Sequence, residues 1–279
     1  MTLIAQITDL HLRPSGLTCY RVSDTNMRAE RAVKALLALE PRPDAVVVTG
    51  DLTDNNDPRE YAQARRMLSK LPMPVYLLPG NHDQSDGMKA AFSDYPGIRD
   101  TASGKIYYAA DIGSLRLIAL DSNVPGKPHG HLGQEQLDWL SRTLSESDKP
   151  TILAIHHPPC LTGIPHMDGI GLADGEALAD VVRPHAHVER IICGHVHRPL
   201  VTSFAGKIMT LAPSTAHQLV LEFSEDAPGQ FNFEPAAYFI HRHTPATGLV
   251  SHLAYVEQHP GPFPFWADEG VTWPGDEKV

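Results

Sequence analysis

Seven side chains able to bind a metal ion stand where apolar runs of this sequence stop. Residues 45–48 are all small or β-branched, Gly50 permits a sharp turn, and Asp51 follows at once. The pattern recurs four more times. Residues 4–8 lead to Asp9 and His11, 75–79 to Asn81, His82 and Asp83, 152–155 to His156, and 191–194 to His195 and His197. Unbroken apolar runs of this kind are strands buried on both faces, and an open α/β sheet takes its ligands at the carboxyl ends of such strands. The donors are oxygen and imidazole, without thiolate, which favours Mn, Fe, Zn or Co over copper or an iron–sulfur cluster. Seven exceed the four that close a structural zinc site. They suit two ions about 3.5 to 4 Å apart that share one carboxylate.

Each residue alone has a plainer reading. An aspartate at a strand end serves equally well as a turn former or helix cap, and one histidine among sixteen is more often a surface or packing residue. Recurrence at five strand ends separates this set from those alternatives. Cys193 lies inside an apolar run and reads as a buried, inert thiol.

The positioning elements follow from periodicity. A helix is expected over 27–39, capped by Asp24 or Thr25, and joins the first two strands as a right-handed βαβ unit. Asp57 and Pro58 open a second helix running to about residue 71, and a short one covers 88–92. The rhythm then changes to a hairpin, 106–112 and 115–121 around Gly113-Ser114, where a second sheet begins. Helices are expected at 134–144 and 175–182, with a Gly- and Pro-rich loop over 160–173 and a further hairpin, 200–203 with 208–211. Strands are also expected at 219–223, 236–243 and 248–256. The division drawn is 1–217 as a catalytic domain and 218–279 as a strand-rich extension acting as an oligomerisation or lid element.

Composition removes several classes. Of 279 residues 42% are hydrophobic and 20% charged, enough for one large core and too little charge for disorder. Lys and Arg number 23 against 33 Asp and Glu, a net charge of −10, so no basic stripe exists for long nucleic acid. Three cysteines without close spacing argue against a disulfide framework or zinc knuckle. The first residues enter a strand without a basic segment and apolar stretch, and no run reaches the roughly 20 apolar residues of a membrane span. A cytoplasmic protein without a membrane partner is expected. An acidic chain carrying such an extension is also expected to form a homo-oligomer, a dimer or higher.

Asp9-x-His11, Gly50-Asp51-Leu52-x-Asp54, Gly80-Asn81-His82-Asp83, His156-His157-Pro158 and Gly194-His195-x-His197 resemble, in order and spacing, the five motif blocks of the calcineurin-like binuclear metallophosphoesterases. Within that superfamily the chain is similar to bacterial class III cyclic nucleotide phosphodiesterases and related glycerophosphodiesterases. The resemblance implies a four-layer αββα sandwich of two mixed sheets flanked by helices. It places Asp9, His11, Asp51 and His197 around one ion and Asp51, Asn81, His156 and His195 around the other. It implies attack of a metal-bound hydroxide on the phosphorus of a small phosphodiester, such as a 3′,5′-cyclic nucleotide, with glycerophosphodiesters as the alternative.

His82 is expected to stabilise the transition state or donate a proton, with Asp83 orienting its ring; Asn81, His82 and His217 are the expected substrate contacts. Thr18, Tyr20, Asn55 and Asn56 are candidate rim residues. A phosphomonoesterase would want more cationic groups near the motifs than Arg13 and Arg198, and a nuclease a basic groove. A catalytically silent binding protein would have lost ligands, and none is missing.

Overall fold

The computed structural model describes residues 1–263; residues 264–279, the end of the expected extension, lie outside them. Three parallel strands, β1 (Thr2–Ile7), β2 (Ala45–Thr49) and β3 (Val75–Leu78), form the centre and one edge of the first sheet. They are joined by α1 (Thr25–Leu37) and α2 (Pro58–Leu68), and α3 (Ser85–Phe92) follows the third. Asp24 caps α1 by accepting from the Met27 amide at 3.0 Å. Asp57 and Glu60 form a capping box on α2, satisfying amides that the first turn leaves unpaired.

The second sheet contains β4 (Tyr108–Ile112), β5 (Leu115–Ala119), β6 (Thr151–Ala154), β7 (Val188–Cys193), β8 (Leu200–Phe204) and β9 (Lys207–Leu211). Its order is β4-β5-β6-β7-β9-β8, parallel from β5 through β9 with antiparallel edge strands. Alternation within the strands explains the layers. Leu117, Ala119, Ile152 and Ala154 pack toward the first sheet, while Ile118, Leu153 and Ile155 pack with Leu137, Leu140 and Leu178. Those last three belong to α4 (Gln134–Ser145) and α6 (Gly175–Val182). Both faces are buried, hence the unbroken apolar runs. The result is the expected helix–sheet–sheet–helix sandwich.

The carboxyl-terminal strands sit elsewhere than their sequence position suggests. β12 (Ala237–Thr244) pairs antiparallel with β1, from Thr2 opposite His243 to Gln6 opposite Phe239, and β13 (Gly248–Tyr255) forms the edge beyond it. The expected strand over 219–223 shrinks to β10 (Gln218–Leu219), paired with β11 (Phe231–Asn232); Leu221 and Phe223 are exposed among the described residues. A single turn, α5 (Pro165–Asp168), interrupts the loop expected over 160–173.

One buried side chain fastens the two sheets beneath the strand ends. Gln6 donates from Nε2 to Thr49 Oγ1 at 3.0 Å and to Cys193 O at 2.9 Å, and its Oε1 lies 3.1 Å from His241 Nε2. Every polar atom of that amide has a partner, so its burial does not destabilise the seam.

Candidate metal centre

All seven expected ligands converge at the carboxyl ends of five strands. Asp9 and His11 follow β1, Asp51 follows β2 and Asn81 follows β3, so the first sheet supplies every oxygen donor. The second sheet supplies imidazoles: His156 after β6, and His195 and His197 after β7. Asp9, His11, Asp51, His195 and His197 all have positive φ, between 44° and 70°, and make up five of the nine such non-glycine residues among those described. A left-handed residue costs about 1 to 2 kcal/mol. In return, the backbone turns alternate side chains inward to one point instead of along a pleat. Backbone bonds from Asp9 N to Gly50 O and from His11 N to Asp51 O, both 3.0 Å, hold the twisted segments side by side.

The donors fall into two groups that share Asp51. In one, His197 Nε2 lies 3.2 Å from Asp9 Oδ1 and 3.1 Å from His11 Nε2, which is 3.7 Å from Asp51 Oδ2. In the other, His156 Nε2 lies 3.4 Å from the same Asp51 oxygen, and Asn81 Oδ1 stands 3.2 Å from His156 Nε2 and 3.0 Å from His195 Nδ1.

Tautomers are fixed from outside. His156 Nδ1 donates to Thr49 O at 2.7 Å and His197 Nδ1 to His217 O at 2.8 Å, so in each neutral ring the Nε2 lone pair points inward. Those lone pairs face carboxylate oxygens. Acceptor against acceptor, with Asp9 and Asp51 buried and no Lys or Arg on either among the described residues, is an arrangement that a proton or a metal cation between them would satisfy. The residues present therefore fit a pair of metal ions.

The same field shifts the ionisation of these groups. Burial opposes the charged form of His156, yet the carboxylates of Asp51 and Asp9 outweigh it and raise its pKa to about 9. Burial likewise works to raise Asp9, but the imidazole of His197 pulls it to about 2. His195, buried and beside His156, falls to about 3 and stays a neutral donor.

His157 also has a ring nitrogen near those of His156 and His195. Its Nδ1 lies 2.7 Å from Ser122 Oγ and its Nε2 3.1 Å from Pro128 O, so both nitrogens are already engaged and the ring packs against the centre.

His82 faces the cavity, with Nδ1 2.7 Å from Asp54 O. Burial lowers its pKa, but Asp51 and the Asp54 carbonyl more than compensate, leaving it above an ordinary histidine. Asp83 does not orient that ring. It is buried and accepts from Gly80 N (3.1 Å), Leu52 N (3.0 Å) and Thr53 N (3.1 Å), tying together the turns that carry Asn81 and Asp51. Burial and the nearby Asp51 raise its carboxyl to about 6. It is a positioning residue, and the orienting role belongs to the Asp54 carbonyl.

Two supporting roles, one played by Asp54 of the second motif block, escaped sequence reasoning. The Asp54 carboxylate sits 3.4 Å from His11 Nδ1, held there by Arg13 at 2.9 Å and Cys19 Sγ at 3.3 Å. Asn123 donates from Nδ2 to Gly80 O at 2.6 Å and Asp83 O at 2.9 Å, bracing the Asn81 turn from the second sheet. Asp121-Ser122-Asn123 lies just past the end of β5, a sixth polar strand end whose pattern matched the other five.

The centre floors a cavity of about 370 Å³ lined also by Tyr20, Met167, Ile170, His217, Leu219 and Phe231. His217 is thus at the cavity as expected, and of the rim candidates only Tyr20 is. Thr18 lies on another face, Asn56 holds the Tyr61 hydroxyl at 2.8 Å, and Asn55 is bonded to Glu60. A larger hollow of about 720 Å³ between α2 and α3 contains none of the clustered donors.

Comparison with known proteins agrees with this site. The family model for calcineurin-like phosphoesterases matches residues 2–199. A probable glycerophosphodiester phosphodiesterase of Arcobacter nitrofigilis is 34% identical over 270 residues, covering 96% of this chain and 98% of that protein. A probable cyclic nucleotide phosphodiesterase of Synechococcus is 36% identical over 224 residues, covering 78% and 82%. Among solved structures, a dimetal phosphatase from Danio rerio superposes with a TM-score of 0.62 at 16% identity, over 92% of this chain and 99% of that one, a likeness of fold.

Proposed function

The chain belongs to the calcineurin-like phosphoesterase family and is a metal-dependent phosphodiesterase; from that premise we propose that its natural substrates are glycerophosphodiesters. The observation that carries this choice is the extension. Leu219, Gly229, Gln230 and Phe231 line the catalytic cavity, and the glycerophosphodiesterase relative is similar across nearly the whole chain, extension included. A cyclic nucleotide is the second reading, favoured by the identity to the Synechococcus protein over 78% of this chain.

Bound in the two donor groups, a pair of ions supplies an acidified water and Lewis acidity toward the phosphoryl oxygens. Mn, Fe, Zn and Co all suit the donors, and Mn²⁺ is the first choice for assay. The protein's own part is positional. Asp51 and Asn81 set the spacing of the floor, and Asn81, His82 and His217 contact the phosphodiester. His82, charged more readily than a free histidine, has its Nδ1 proton fixed on Asp54 O and presents Nε2 to protonate the departing alkoxide.

A diester fits better than a monoester because no Lys or Arg lines the cavity among the described residues. Arg13 is consumed by Asp54 and Glu60, and Arg198 by Glu234 and the Leu219 carbonyl. The extra charge of a monoester would go unmatched at the rim.

The proposal includes a cytoplasmic homo-oligomer, with the extension 218–279 as an oligomerisation or lid element, the lid part being the β10–β11 segment at the cavity. Among the described residues no helix is long and apolar enough to cross a membrane. The test is kcat/KM for glycerophosphoethanolamine against 3′,5′-cyclic AMP on one Mn²⁺-loaded preparation, with His156→Ala as control for contaminating activity. A glycerol-diester preference supports the reading; a cyclic-nucleotide preference replaces it with the second.

A further inference from the structure

The outer wall of the cavity is aromatic. Tyr20 and Phe231 approach to 5.2 Å between ring centroids at 33°, His217 lies 4.7 Å from Phe231 and 5.4 Å from Tyr20, and Met167, Ile170 and Leu219 complete the rim. Tyr20 is 54% exposed and sits at φ 48°, so it is neither buried for packing nor in a relaxed backbone conformation. Its loop is pinned beneath it. Cys19 is buried against Asp54, and Cys19 and Ser23 exchange backbone bonds of 2.8 and 2.9 Å. Phe231 is fixed from the other side, because Arg28 stacks 4.3 Å over Phe233 and Arg198 pairs with Glu234 at 3.0 Å. Two segments far apart in sequence are thus held so that their rings meet over the metal centre.

Resting on the phosphodiesterase reading, we propose that Tyr20 and Phe231 form a specificity subsite for a quaternary ammonium group on the leaving alcohol, as in a choline diester. The three rings touch one another at angles of 33°, 52° and 81°, which leaves no parallel slot for a flat base to enter. They form one continuous π surface at the edge of a protein of net charge −10. A trimethylammonium group needs a π face and no hydrogen-bond acceptor. A primary ammonium is held best by a carboxylate, and among the described residues the only one lining the cavity is Asp51, which belongs to the floor, leaving the neutral Gln230 amide as the acceptor at the rim.

The test is the ratio of kcat/KM for glycerophosphocholine to that for glycerophosphoethanolamine on the full-length Mn²⁺-loaded protein. Tyr20→Leu and Phe231→Leu keep bulk and remove the π face, and Phe223→Leu, an exposed aromatic outside the cavity lining, is the control. The expected wild-type ratio is about tenfold in favour of choline. It falls toward one in either rim variant and holds in the control. A wild-type ratio at or below one, or a ratio that both rim variants retain, overturns the subsite while hydrolysis itself upholds the phosphodiesterase reading. Hydrolysis of neither diester overturns both.

Discussion

The floor and the rim of the cavity are built by opposite rules. The floor is buried, strained and cross-braced, with five of its seven ligands in left-handed conformations and its turns tied together by Asp83, Asn123 and backbone bonds. The rim is open, made of loop 13–24, the α5 loop and the β10–β11 segment, and held by a few ion pairs and ring contacts. The difference teaches where each property resides. Chemistry needs donors held to fractions of an ångström, which a sandwich seam can provide; selectivity needs only a surface of the right character.

The largest expected effect is at the carboxylate common to both donor groups. Asp51→Ala should lower kcat on bis(p-nitrophenyl) phosphate by at least about 10³-fold and reduce Mn²⁺ stoichiometry. Two ions still bound at full affinity would break the claim that Asp51 joins the groups.

Gly80 tests how tightly the floor is braced. A Cβ there would lie 2.1 Å from Asp51 Oδ1, so Gly80→Ala should displace that carboxylate and cost about 10²-fold in kcat/KM. A fully active variant would mean the turn has slack.

His82→Ala should cost about 10²-fold on diesters with alkyl leaving groups and much less on nitrophenyl diesters, whose departing oxygen needs little protonation. Equal losses on both would remove the proton-donor role.

The seam below the floor has its own pH signature. His241 is buried against Gln6 and Ser251, and burial, helped by Arg190, depresses its pKa to about 3. The unfolded chain takes up a proton near pH 6.5 while the folded one refuses it. This one group should therefore cost about 1.4 kcal/mol of stability per pH unit as pH falls from 6.5 toward 3, its contribution being complete above that window. Urea denaturation at several pH values reads the total slope, to which the depressed His195 also contributes, and His241→Gln should make it shallower by that amount; an unaltered slope would assign the acid sensitivity to other groups.

At the rim, effects should be small. Phe233→Ala removes the ring under Arg28 and should raise KM a few-fold with kcat nearly unchanged, since only the hairpin's position is loosened. A matching loss in kcat would show that rim and floor are not separable.

The same contrast explains what the sequence made legible. The floor was readable because each ligand ends a doubly buried strand, and the local pattern 45–48, Gly50, Asp51 repeats. Asp83 was misassigned because adjacency to His82 says nothing about direction, and its carboxylate turns back to three amides. β12 could not be placed beside β1, because antiparallel pairing across more than 200 residues leaves no local mark; its His241 partner is Gln6 at the other end of the chain. The rim was least legible, for Tyr20 and Phe231 meet only after both sheets are assembled.

The most direct test of the central claim is a titration of metal-free protein with Mn²⁺, following bis(p-nitrophenyl) phosphate and p-nitrophenyl phosphate hydrolysis together. Diester activity should complete only with the second equivalent and exceed monoester activity throughout. Full activity at one equivalent, or a preference for the monoester, would contradict it.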